Sequence, residues 1–178
     1  MKKCMLMLAL VAYFFTAAAQ ISLSKDITIQ VPRDLKIINS STVNKKVFEK
    51  AKWPLFSVDD YDGSLYIETK GIVIKMFFQP SEYIEKDFLQ GQEYEFKKLD
   101  LKSNKFYSHL HYQIKKMNGF SVFISEKERF DDPIGYLVCY GLPDSLNRYL
   151  FAAVQYNKED RRKALIALTN LLKGVDFK

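Results

Sequence analysis

The sequence predicts an α+β fold, an antiparallel β-sheet covered by helices on both faces in an α/β/α sandwich. Three observations carry the prediction. From Ile27 onward apolar residues recur mostly with period two, the mark of strands whose side chains alternate between two faces. Turn pairs such as Asp62-Gly63 and Asn118-Gly119 separate successive strand-like runs, as antiparallel hairpins require. Finally, Arg148 to Tyr156 carries Leu150, Ala152 and Val154 on one face and Tyr149, Phe151 and Ala153 on the other, so both sides of the sheet need cover.

Each element follows from its residues. Ile27, Ile29 and Val31 share one face of an opening strand that Pro32 ends, and Leu35 to Asn39 reads as a short second strand. Ser41 is placed to cap a helix from about Thr42 to Ala51, with Val43, Val47, Phe48 and Ala51 on one side. Trp53 to Val58 and Ser64 to Thr69 read as strands joined by Asp59 to Gly63, and Gly71 turns the chain into the apolar run Ile72 to Phe78. Pro80 and Ser81 open a predicted helix through about Gln90, with Gly91 as its stop and the polar stretch Gln92 to Asn104 left without an element.

The second half reads as a meander of four strands, Phe106 to Ile114, Phe120 to Ser125, Ile134 to Tyr140 and Arg148 to Tyr156. Asn118-Gly119, the charged stretch Glu126 to Asp132, and Gly141 to Asp144 are the expected connections. Asn157 is positioned to cap a closing helix with Glu159 and Asp160 in its first turn, and Gly174 stands where a left-handed stop belongs. Ala164, Leu165, Leu168, Leu171 and Leu172 form the side that packs on the sheet.

The N-terminus has the three parts of an export signal. Lys2 and Lys3 precede the uncharged apolar run Met5 to Phe15, and Ala17-Ala18-Ala19 offers small residues where a signal peptidase reads them. Cleavage is expected between Ala19 and Gln20, giving residues 1–19 as signal peptide and 20–178 as a single globular domain that is periplasmic or extracellular. A membrane anchor would need about 20 apolar residues, and this run turns polar at Gln20, Ser22 and Ser24. A lipoprotein would carry its cysteine after the apolar run, whereas Cys4 precedes it. No later segment is apolar for long enough to span a bilayer, so the mature form is expected to lack an integral membrane segment.

The whole chain carries a formal charge of +6, reduced by loss of Lys2 and Lys3 on cleavage. Lysine and glutamate are interspersed from Lys25 to Lys178, apart from a cluster at Lys45, Lys46, Lys50 and Lys52 that suits a solvated helix face. That distribution argues against nucleic-acid binding, which gathers positive charge into a stripe. After cleavage Cys139 is the remaining cysteine, which excludes an intramolecular disulfide and leaves packing by the many Phe and Tyr residues to stabilise the fold.

Candidate chemistry is sparse. His109 and His111, two apart on a strand, aim their imidazoles the same way and are the candidates for a metal; with Tyr107 and Gln113 beside them and no third ligand apparent, the pair reads as polar surface. Asp60-Tyr61-Asp62-Gly63 resembles part of a calcium loop, but Val58 and Thr69 stand where acids are needed, so it reads as a hairpin turn. Cys139, among Tyr136, Leu137, Val138 and Tyr140, reads as a core thiol rather than a nucleophile. Asp131-Asp132 reads as a solvated loop pair. Neither a nucleophile elbow nor a glycine-rich phosphate loop occurs, so no catalytic residue and no cofactor is expected.

The order of elements resembles the PsbP-like fold. Ile27-Thr28-Ile29-Gln30-Val31-Pro32 is similar to its opening strand and proline, and Met117-Asn118-Gly119-Phe120 with Ser121-Val122-Phe123 to its mid-chain turn and core strand. Tyr149 to Tyr156, the closing helix and Gly174-Val175-Asp176-Phe177 resemble its end. The resemblance spans about Ile27 to Phe177. It implies a non-enzymatic module, accessory or interacting in role, with no residue-level site. The expectation is an exported, non-catalytic binding or accessory domain whose partner, a protein or a small ligand, is unknown. The alternative expectation is a lipocalin-like carrier, its strands closed into a barrel around a hydrophobic ligand.

Overall fold

A computed structural model describes residues 19–24, 27–43, 64–80, 87–143 and 148–177. In chain order the strands are β1 (Ala19–Ser24), β2 (Ile27–Val31), β3 (Lys36–Ile37), β4 (Leu65–Thr69), β5 (Ile72–Pro80), β6 (Tyr107–Met117), β7 (Phe120–Arg129), β8 (Ile134–Pro143), β9 (Arg148–Asn157) and β10 (Val175–Phe177). Two helices stand among them, α1 (Phe88–Ser103) and α2 (Arg161–Lys173).

Seven strands form one sheet in the order β3-β4-β5-β9-β8-β7-β6, antiparallel throughout, and β1-β2-β10 form a second, smaller sheet. Lys70-Gly71 and Asn118-Gly119 close the β4–β5 and β6–β7 hairpins with positive φ at both residues of each pair, the mirror-image turn that suits strand twist. Asn118 also donates from Nδ2 to the Lys173 carbonyl oxygen at 2.6 Å, tying the hairpin tip to the end of α2.

One face of the large sheet carries the main core. Ile72, Ile74 and Met76 of β5, Val122 and Ile124 of β7, and Leu150, Ala152 and Val154 of β9 meet β2 and α2 there. Leu168, Leu171 and Leu172 of α2 are fully buried against it, each removal from water contributing about 1.5–3 kcal/mol. On the other face α1 packs against β6 and β7, joining Leu89 and Phe96 to Phe123. Phe88 reaches further, with its ring 5.7 Å from Tyr140 on β8 and 5.6 Å from Tyr149 on β9.

Several expectations change. A helix covers Phe88–Ser103, with Gly91 in its first turn, not at its stop, and donating to the Asp87 carbonyl at 2.8 Å; residues 81–86 of the helix foreseen from Pro80 lie outside the described residues. Phe88 to Ser103 contains no proline or β-branched residue, and one interior glycine costs only about 1 kcal/mol, which the packing of Leu89 and Phe96 offsets. Glu126 to Arg129 continue β7 rather than forming a loop, and Gly141 to Pro143 continue β8. Helical backbone begins at Ser40, with the Asn39 Oδ1 accepting from the Thr42 amide at 2.9 Å, so Asn39 and not Ser41 caps it.

Gly174 has φ −83°, not a left-handed value; a Cβ there would lie 2.4 Å from the Gln30 carbonyl oxygen. Its role is close approach to β2, whose Gln30 amide donates to the Gly174 carbonyl at 2.9 Å. The short strand foreseen over Leu35 to Asn39 is only Lys36–Ile37. Residues 1–18 of the expected signal, the remainder of the helix to Ala51, the Trp53 to Val58 strand and the Asp59 to Gly63 turn lie outside the described residues. The large sheet is open, with β3 and β6 at its edges among the described residues, whereas a barrel pairs its first and last strands. The described strands therefore do not form the enclosed carrier of the alternative expectation.

Candidate functional site

His109 and His111 lie on β6, the edge strand, with ring centroids 6.3 Å apart. Register pairs His109 with Glu128 and His111 with Glu126 on β7. Because Phe120, Val122 and Ile124 occupy the core face of β7, the alternation carries Glu126 and Glu128 onto that same face at its polar end. Both carboxylates are nearly buried, at 5% and 6% exposure, and both have partners. Glu126 Oε2 lies 3.2 Å from His109 Nε2, Glu128 Oε1 accepts from the Tyr156 hydroxyl at 3.2 Å, and Arg161 Nη1 stands 3.9 Å from that oxygen. Burial, reinforced by the Glu128 charge, pushes the Tyr156 phenol far above its usual value, which keeps it a donor.

Among the described residues no group of three His, Cys, Asp or Glu side chains is placed to hold a metal ion. Asp131 and Asp132 part ways: Asp131 pairs with Arg129 at the surface, whereas Asp132 is buried and accepts from the Ile134 amide at 2.9 Å and the Tyr136 hydroxyl at 3.2 Å. The solvated-loop reading thus fails for Asp132, because β8 needs its first amide satisfied away from water. Cys139 is fully buried in the main core, and burial pushes its thiol far up, the opposite of what a nucleophile needs.

The opposite face holds a site that the sequence did not announce. Between α1 and strands β7 and β8 runs a half-open cleft of about 250 Å³. Gln92, Glu95, Phe96 and Leu99 of α1 form one wall; Phe123, Ser125 and Lys127 of β7 with Val138 and Tyr140 of β8 form the floor and the other wall. These sheet residues share a face because they are the odd positions of β7 and, through the pairs Phe123–Tyr140 and Ser125–Val138, the even positions of β8. Phe96 and Phe123 meet edge to face at 6.3 Å, and both are nearly buried.

Its polar groups differ in how they are engaged. Ser125 donates to the Val138 carbonyl at 3.4 Å, and Glu95 is neutralised by Lys98 at 3.0 Å on the solvent side. Lys127 Nζ lies over the Phe96 ring at 5.3 Å from its centroid, and burial holds its amine below the ordinary lysine value. An apolar cleft with a few convergent polar groups is the usual form of a binding site. The signal in the sequence was there in part: Leu89, Phe96 and Leu99 stand at helical spacing within a stretch whose polarity masks it, and placing Lys127 on a strand required knowing that β7 runs on to Arg129.

Comparison of folds gives a clear likeness to a solved structure. The solution structure of cyanobacterial PsbP (CyanoP) from Synechocystis sp. PCC 6803 superposes with a TM-score of 0.53, covering 92% of this chain and 95% of that one, at 9% sequence identity. No protein-family model and no curated protein sequence matches the chain. At that identity the likeness shows the fold, which is PsbP-like, and leaves the binding chemistry to this chain's own residues.

Proposed function

We propose that the chain is an exported, non-catalytic binding or accessory domain, with residues 1–19 removed as a signal peptide and the domain working in the periplasm or outside the cell. The observation that carries the binding reading is the half-open cleft walled by Phe96, Phe123 and Tyr140. Helix cover on both faces of the large sheet belongs to the same reading, since the second face needs shelter around the cleft. Support for the non-catalytic part comes from the engaged state of the acids: Glu126, Glu128 and Asp132 all serve neighbouring donors.

Export draws support from the tripartite N-terminus and from the place of the scissile bond. Ala19 is the first residue of β1, so cleavage after it costs only the Ala19–Val31 pair and leaves Gln20 paired with Gln30 and Ile21 with Ile29. Among the described residues no helix is long and apolar enough to cross a membrane.

The test has two parts. N-terminal sequencing of the protein made by its own host is expected to begin at Gln20, and an intact Met1 on protein in the cell interior would refute export. Assay of the purified protein on a panel of ester, peptide, phosphate and glycoside substrates is expected to show no turnover. Turnover that a single substitution abolishes would refute the non-catalytic reading.

A further inference from the structure

The geometry points to the cleft between α1 and β7–β8 as a site for a small apolar carboxylate, its flat or branched body lying on Phe96, Phe123 and Tyr140 and its single carboxylate pairing with Lys127. The inference rests on the binding reading above and names the chemical class of its ligand.

The charge balance of the cleft decides the class. Lys127 is the cation of the lining, and no carboxylate among the described residues forms an ion pair with it. Glu95 is the acid of the lining, but Lys98 already holds it at 3.0 Å and both lie toward solvent. A half-buried amine whose neighbour among the described residues is an aromatic ring is costly to keep charged, and burial lowers its pKa. An entering carboxylate removes that cost by supplying the missing anion in a place sheltered from water, where a charge-assisted hydrogen bond is strong. The Tyr140 hydroxyl, kept protonated by burial, makes no hydrogen bond among the described residues and offers a second donor.

Size and shape set the remainder of the ligand. Lys127 Nζ lies 5.3 Å from the Phe96 centroid, and Phe96 lies 6.3 Å from Phe123, so an anion at Lys127 sits beside the aromatic walls and within reach of a one-ring acid. The volume of about 250 Å³ lies just below the roughly 300–1,000 Å³ of sites for drug-sized molecules. A free aromatic or branched-chain acid, or the C-terminal residue of a partner protein, has this chemistry.

The experiment is titration of the protein, produced by its host and followed by amide and side-chain NMR shifts, with phenylacetate and with neutral phenylacetamide. Phenylacetate is expected to bind about tenfold or more tightly than phenylacetamide, with shifts centred on Phe96, Phe123, Lys127 and Tyr140. Lys127→Met should erase the preference and Lys127→Arg should retain it, with the folded spectrum of each checked. A second arm compares acetyl-Gly-Gly-Phe with its C-terminal amide. Tighter binding of the peptide acid than of phenylacetate assigns the site to a protein C-terminus, and the reverse assigns it to a free acid. Equal affinity for acid and amide, an undiminished preference in Lys127→Met, or no binding of any probe overturns the inference, whatever the outcome of the export and turnover tests.

Discussion

Tyr156 lies directly across Gly135 of the neighbouring strand, so that a Cβ on Gly135 would meet the Tyr156 ring carbons at 2.5 Å. The missing side chain on β8 makes the room in which the ring on β9 lies flat and delivers its hydroxyl to Glu128. Gly135→Ala is expected to force the ring aside and destabilise the protein by about 1–3 kcal/mol, the usual cost of overpacking. Gly91→Ala is the contrast, because nothing among the described residues lies within 4 Å of a Cβ there. In a helix it should stabilise by roughly 0.5–1 kcal/mol. Urea unfolding of both variants checks the pair, and a neutral Gly135→Ala would refute the steric account.

The Tyr156 hydroxyl has a second, pH-dependent consequence. Below about pH 10 the phenols of Tyr136 and Tyr156 are protonated both folded and unfolded and contribute no slope. Above it the unfolded chain releases these protons first, since burial raises both phenols in the fold, so stability falls as pH rises. The melting temperature should drop from about pH 10 upward. Tyr156→Phe should flatten that drop while lowering stability at neutral pH by about 1–3 kcal/mol, because Glu128 loses its donor.

Lys127 carries the opposite sign. Its folded pKa is depressed by burial, so between the folded value and the unfolded 10.5 the unfolded chain holds more protons and stability rises with pH. Lys127→Met removes the buried charge. It should melt higher than the parent at neutral pH, and the difference should shrink as pH climbs toward 10.5. Parallel melts across that range measure it, and a gap that grows with pH would show the sign to be wrong.

Gly174 tests where the chain ends meet. A Cβ at 2.4 Å from the Gln30 carbonyl oxygen strikes backbone, which cannot swing away as a side chain can. Gly174→Ala is therefore expected to cost about 1–3 kcal/mol or more and to loosen β10 from β2. Amide hydrogen exchange at Thr28 and Gln30, the β2 amides that face β10, should quicken in this variant while β7 and β8 keep their protection.

What could be read along the chain is what depends on near neighbours. Strand-like patterns marked the cores of β2, β7, β8 and β9, a nearly continuous apolar run marked β5, and Asn118-Gly119 marked a turn, because side-chain patterning and positive φ are local properties. The closing helix was legible for the same reason, its apolar residues recurring at a spacing that only a helix brings to one side. The polar composition of Gln92 to Asn104 concealed α1, whose identity rests on Leu89 and Phe96 finding Phe123. Glu126 to Arg129 looked like a loop because charge suggests water, and nothing local foretells a histidine at Glu126 or a tyrosine at Glu128.

The sequence by itself determined which segments alternate, which turn and which coil, since those preferences are settled within a few residues of backbone. Only the tertiary structure decided that Gly174 serves closeness rather than turning, and that Lys127 lies beside a phenylalanine with no acid among the described residues paired with it. The physical reason is that burial and charge pairing are set by residues distant in the chain, such as Phe96 for Lys127 and Gln30 for Gly174. No local pattern encodes which of them the fold will bring together.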